Sequence, residues 1–136
     1  MIVSDANVVA SYVLKSVESS LVFELLAADP HWVSPPLLLS ELRSVLARQV
    51  SARRLGLADA ERAFDLAMDT LDDVTLEPDT GRVMQLAAAY GCSTYDCEYV
   101  TVAEQLGCSL ATFDKQLLRA FPQIAAHPKR LLEASE

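Results

Sequence analysis

Nineteen of the 136 residues are acidic, and four of them sit where a surface role explains a carboxylate poorly. Glu41 has Leu37, Leu38 and Val45 at i−4, i−3 and i+4, so helical spacing places it in an apolar stripe. A carboxylate there must find a partner or lose its charge, because unpaired burial is costly. No lysine or arginine occupies an i±3 or i±4 position. The plain alternative is a glutamate at the edge of the stripe, reaching water or a distant arginine. Asp96 is similar: Tyr99, Val100 and Ala103 follow it on one helical face, whereas Glu98 shares a more polar face with Thr101, Val102 and Gln105. Of these two acids Asp96 is the one directed inward. Its structural role alone would be a first-turn acid on the helix dipole, with Ser93 or Thr94 as N-cap.

Asp5 and Asp114 each follow a short apolar run and precede a helical pattern. Either alone could be a helix cap. Together with two inward-facing helix acids, they can converge on one crevice. Oxygen ligands in that number suit Mg²⁺ or Mn²⁺, and phosphodiester hydrolysis is chemistry such sites support.

The elements that must position these acids alternate. Ile2-Val3 opens with a strand, followed by a helical pattern through Val8, Val9, Tyr12 and Val13. Asp29-Pro30 is a turn and Trp32-Val33 a second strand; Pro35-Pro36 opens a helix to about Val50. After Gly56, helical periodicity runs from Ala58 to about Leu71, and Val74 to Leu76 reads as a third strand. Helices are expected from Asp79 to Tyr90 and from Thr94 to Leu106, stopped by Gly91 and Gly107. Ser109 to Thr112 is a fourth strand, Lys115 to Ala120 a short helix, and Gln123 to Ala125 a last edge strand. This alternation predicts an α/β fold with a mostly parallel sheet and helices on both faces. Ligands of such sheets bind beyond the carboxyl ends of the strands, where Asp5 and Asp114 fall.

The length fits one domain over residues 1–136. No apolar run exceeds the five residues Leu86 to Tyr90, so no bilayer span is expected. The start, Met-Ile-Val-Ser-Asp, lacks the basic region of a secretory signal, and a cytoplasmic protein is expected. Cys92, Cys97 and Cys108 lack zinc-ligand spacing and read as thiols of a reducing compartment. The net charge of −8 counts against a sequence-specific DNA binder, since a protein gripping nucleic acid mainly through phosphate contacts is usually basic. It leaves open an enzyme whose carboxylates hold cations that meet the phosphate.

Asp5-Ala6-Asn7, Leu39-Ser40-Glu41-Leu42, Ser93 to Tyr99 and Thr112-Phe113-Asp114-Lys115 resemble, in order and spacing, the four acidic motifs of PIN domains. They are most similar to VapC-type toxins of bacterial toxin–antitoxin pairs. The resemblance covers the whole chain and implies a three-layer α/β/α sandwich with a mostly parallel five-stranded sheet. It also implies divalent-metal endoribonuclease activity, a homodimer and a small cognate antitoxin. Metal binding falls by motif position to Asp5, Glu41, Asp96 and Asp114. Ser93 and Thr112 stand where the family often has a supporting hydroxyl, and Asn7 would be a polar neighbour of Asp5. Cys97 replaces a common alanine, and Gln116 stands where some relatives carry another acid, so a second metal would be held weakly.

Arg43, Arg48, Arg53, Arg54 and Arg62 are five of eleven basic residues, gathered in twenty positions. With Lys115 and Arg119 they are candidates to follow an RNA backbone; individually they can also be a solvated face paired with Asp59, Asp65 and Asp69. A receiver domain would need an acid pair at the first strand and an aspartate ending the third, where the chain reads Leu76-Glu77-Pro78. A haloacid-dehalogenase-like phosphatase would need Asp-x-Asp in place of Asp5-Ala6-Asn7. The non-enzymatic alternative is an inert PIN-like interaction module.

Overall fold

The computed structural model describes residues 1–135; the last residue of the expected domain, Glu136, lies outside them. Strand β1 (Ile2–Ser4) is central, with β2 (Trp32–Val33) on one side and β3 (Ser109–Ala111) then β4 (Ala125–Ala126) on the other, all parallel. Successive side chains of a strand face opposite ways, and this sorts the core. Ile2, Trp32 and Ala111 enter one apolar cluster, whereas Val3, Val33 and Leu110 enter the other. The first cluster is covered by α1 (Ala6–Val13), α2 (Ser19–Ala28), α3 (Leu37–Ser51) and α4 (Leu57–Thr70). The second is covered by α5 (Thr80–Tyr90), α6 (Thr94–Leu106) and α7 (Lys115–Ala120). The result is the expected helix–sheet–helix sandwich.

Two expected strands differ. Val74 to Leu76 does not form a strand; the position beside β2 is reduced to one parallel bridge, Val33 to Asp73. The Asp73 carboxylate accepts from both the backbone N–H and the hydroxyl of Thr75, at 2.7 and 2.6 Å. This side-chain turn uses a donor that a ladder would need, and Pro78 supplies none. Among the described residues the sheet therefore has four strands rather than five. The last strand is shifted to Ala125–Ala126, because Ile124 and Ala125 donate to Phe121 O and close a turn over the expected start.

Two helices lie beyond the expected pattern. α2 begins where the Ser19 hydroxyl donates to Ser11 O and Leu14 O, at 2.7 and 3.0 Å, a tertiary tie invisible to local periodicity. α8 (Pro128–Ala134) starts on a His127 N-cap with proline in its first turn, and Leu131 and Leu132 pack on the first cluster. Helices α5 and α6 end at Gly91 and Gly107, whose φ values of 66° and 65° are left-handed.

Candidate active site

Parallel pairing brings the carboxyl ends of β1 and β3 to one edge of the sheet, with Ser4 level with Ala111. The chain turns into a helix immediately after each. Asp5 is the N-cap of α1, its Oδ1 accepting from Ala6 N at 2.7 Å. Asp114 is the N-cap of α7, its Oδ1 accepting from Gln116 N and Leu117 N at 2.8 and 3.2 Å. Capping is thus a real part of what both acids do, but it engages only Oδ1.

The fully buried Thr112 ties these two turns together. Its hydroxyl donates to Asp5 Oδ2 at 2.6 Å and accepts from Asp114 N at 3.0 Å. Asn7 adds two long bonds of 3.4 Å, from Nδ2 to Asp5 Oδ2 and to Thr112 Oγ1, while its Oδ1 accepts from Phe113 N at 3.2 Å. Asp5 is only 6% exposed. Burial raises its pKa from 3.8 to about 6, helped by the nearby charges of Glu41 and Asp96 and opposed by the Thr112 and Ala6 hydrogen bonds. Desolvation outweighs the donors, as expected for a carboxylate taken out of water.

Helices supply the opposite wall. α6 is anchored to α5 by a two-pronged ion pair, Arg82 Nε and Nη2 donating to Glu104 at 3.0 and 2.8 Å, and Asp79 N donates to Gln105. At its other end Ser93 caps the helix, its Oγ accepting from Asp96 N at 3.0 Å. Asp96 is half-buried, and its pKa is raised by burial first and the Asp114 charge second, with Ser93 lowering it. Glu41 on α3 is half-buried, and its Oε1 accepts from the Tyr99 hydroxyl at 2.6 Å. Apart from metal binding, the partner expected for Glu41 is water or a distant arginine. A buried tyrosine fills that role, three residues after Asp96 on the same inward face.

Asp5, Asn7, Glu41, Asp96 and Asp114 line one pocket of about 280 Å³, with Ser44 and Arg48 on its α3 side. Glu98 lies outside it, in a neighbouring pocket with Glu77 and Met84. Among the described residues no three acid, histidine or cysteine side chains close around a single point. The acids share the pocket with one oxygen of Asp5 and one of Asp114 turned into helix caps. The Cys97 thiol, next to Asp96, is buried and pushed up to about 11, so it stays protonated at neutral pH.

The basic residues separate. Arg48 lines the acid pocket and donates to Ser44 Oγ at 3.3 Å. Arg43 lies over the Phe64 ring, 5.2 Å from its centroid, in a larger and mostly apolar groove between α3 and α4. Arg54 lines a third hollow with Lys15 and Arg62, and Arg62 is paired with Asp59. Arg53 is exposed with a φ of 59° just beyond α3, and Lys115 and Arg119 are exposed on α7. The larger groove has the greater apolar lining but none of the four acids, which line the smaller pocket.

A family model described as PIN domain matches residues 2–122. The chain is 36% identical over 120 residues to VapC ribonuclease Mb0985 of Mycobacterium bovis, covering 86% of this chain and 88% of the relative. The same values hold for ribonuclease VapC9 of Mycobacterium tuberculosis. Among solved structures, PAE2754 from Pyrobaculum aerophilum aligns with a TM-score of 0.80 at 22% identity, over 98% of this chain and 93% of that one. VapBC2 from Rickettsia felis, bound to a DNA fragment from its promoter, aligns with a TM-score of 0.68 at 15% identity, over 93% and 98%.

Proposed function

This chain belongs to the PIN domain family, and we propose that it is a divalent-metal-dependent endoribonuclease, the toxin of a toxin–antitoxin pair. The observation that carries the proposal is the lining of one pocket by Asp5, Glu41, Asp96 and Asp114. The relatives named as VapC ribonucleases supply the substrate class.

The residues fit a hard cation. All four are oxygen donors, the class that Mg²⁺ and Mn²⁺ prefer. Burial, with smaller contributions from the Glu41 and Asp96 charges, raises the pKa of Asp5, and a bound cation would offset both. Asp5, Glu41, Asp96 and Asp114 would hold the ion, which when bound supplies positive charge against the phosphate and acidifies a water. The remaining work falls to the chain itself. Thr112 and Asn7 hold Asp5 in place, and Ser93 fixes the start of the helix that carries Asp96. Arg48, beside Ser44, offers a guanidinium that pairs with a phosphate passing the pocket. Lys115 and Arg119 lie on the helix that Asp114 caps and would add to this basic surface, while Arg43 faces the groove between α3 and α4 and Arg53 and Arg54 lie just beyond α3, so these would meet only a longer RNA.

The same reading treats residues 1–136 as one domain acting as a cytoplasmic homodimer held in check by a small antitoxin. The Rickettsia felis neighbour is itself a VapBC assembly. Among the described residues no helix is long and apolar enough to cross a membrane.

The test is cleavage of total RNA with Mg²⁺ or Mn²⁺, with and without chelator, alongside thermal melts in each ion. Metal-dependent cleavage and a raised melting temperature are expected. A protein that neither cleaves nor responds to millimolar ion would be the inert interaction module instead.

A further inference from the structure

Tyr99 is one of the largest fully buried side chains, 1% exposed, and its polar atom is spent on one contact, the 2.6 Å hydrogen bond to Glu41 Oε1. Fifty-eight residues separate the partners, so the bond joins α6 to α3 at Glu41, which lines the acid pocket. The tyrosine hydroxyl is the donor and the glutamate oxygen the acceptor. A bond this short to a charged acceptor is of the strong class.

The contrast with Asp5 gives the bond its meaning. Asp5 is held through both oxygens, by Ala6 N on one side and by Thr112 and Asn7 on the other. Glu41 has a longer side chain with more rotamers to choose from, and among the described residues Tyr99 is its one hydrogen-bond partner, leaving Oε2 without one. We infer that Tyr99 is a positioning residue for the metal site: it holds Glu41 by Oε1 so that Oε2 is presented to the pocket. A carboxylate hydrogen-bonded through one oxygen while it ligates through the other is the way outer residues orient metal ligands. The inference rests on the metal-dependent reading above. It also assigns the buried tyrosine a task that core packing alone would not require, since phenylalanine would fill the same space without a polar atom.

The experiment uses the full chain and Mn²⁺ as probe. Binding is read by electron paramagnetic resonance and by calorimetry in the parent, Tyr99→Phe, Glu41→Gln and the double variant; cleavage kinetics run in parallel. Tyr99→Phe should weaken Mn²⁺ binding about tenfold or more and lower kcat at saturating Mn²⁺ with little change in KM for RNA. In the Glu41→Gln background the same substitution should leave Mn²⁺ binding unchanged, because the group it positions is gone. Tyr99→Phe that binds Mn²⁺ like the parent overturns the inference alone. An equal loss in both backgrounds also overturns it, since the effect then does not pass through Glu41. A parent that binds no Mn²⁺ overturns the metal reading and this inference with it. Should Tyr99→Phe melt early, Tyr99→Leu separates the causes: packing loss predicts binding below that of Tyr99→Phe, whereas positioning predicts equal binding by the two folded variants.

Discussion

The two walls of the acid pocket are built on opposite principles. The strand wall, Asp5, Asn7, Thr112 and Asp114, is cross-linked by side-chain and backbone bonds within two short turns. The helix wall, Glu41 and Asp96, rests on α3 and α6, whose placement comes from packing, the Arg82–Glu104 pair and the single Tyr99 bond. The strand wall is thus part of the fold's own hydrogen-bond network. Its acids cannot be altered without touching stability. The helix wall is spare by comparison, so its acids should be separable from the fold.

The sharpest break expected is at Asp96. Asp96→Asn should lower RNA cleavage by about a hundredfold or more while shifting the urea midpoint little; a large stability loss with activity retained would place Asp96 on the structural side. Next comes the pH dependence of the strand wall. Because the pKa of Asp5 is raised in the folded state to about 6, its contribution favours the fold below about pH 4 and is lost as pH rises through 6. The shift is worth about 3 kcal/mol. Without divalent ions, urea melts between pH 4 and 7 should show that slope in the parent and lack it in Asp5→Asn.

Thr112→Val should cost about 1–3 kcal/mol, since it strips a buried carboxylate of its main donor and leaves Asp114 N unpaired. It should also move the Asp5 titration higher, measurable by carboxyl NMR. Glu41→Gln tests the other wall. The amide keeps an oxygen for Tyr99 and removes a charge near Asp5, so stability without metal should be unchanged to within about 1 kcal/mol, or raised, while cleavage is lost. A loss of about 3–5 kcal/mol, as for a broken buried ion pair, would contradict this. The smallest effect is expected from Glu98→Gln, which lies outside the pocket and should keep at least about half of the parent's cleavage rate.

What was legible in the sequence follows the same division. Asp5 and Asp114 could be located because strand and cap patterns are local, and parallel topology fixes where strand ends meet. Asp96 was separable from Glu98 because a helix turns about 100° per residue. Glu41 stood out as a carboxylate in an apolar stripe, but its partner comes from 58 residues away and no local spacing encodes it. The arginine group shows the opposite failure. Arg43 and Arg48 are near in sequence, yet five helical steps turn them toward different grooves. Sheet size was misjudged at Val74 to Leu76 because strand propensity there is overridden by the Asp73 side chain capturing Thr75.

That capture has a consequence for how the molecule can associate. Asp72 N donates to Trp32 O and Ser34 N to Asp73 O, so the outer hydrogen bonds of β2 are already taken by a segment that then turns away. The opposite edge, β4, is two residues long and is followed, after His127, by Pro128. Neither margin offers a row of open backbone groups for strand addition, which protects the sheet against edge-to-edge polymerisation. Two copies of this chain would therefore have to meet through helix faces and not through a shared, continuous sheet.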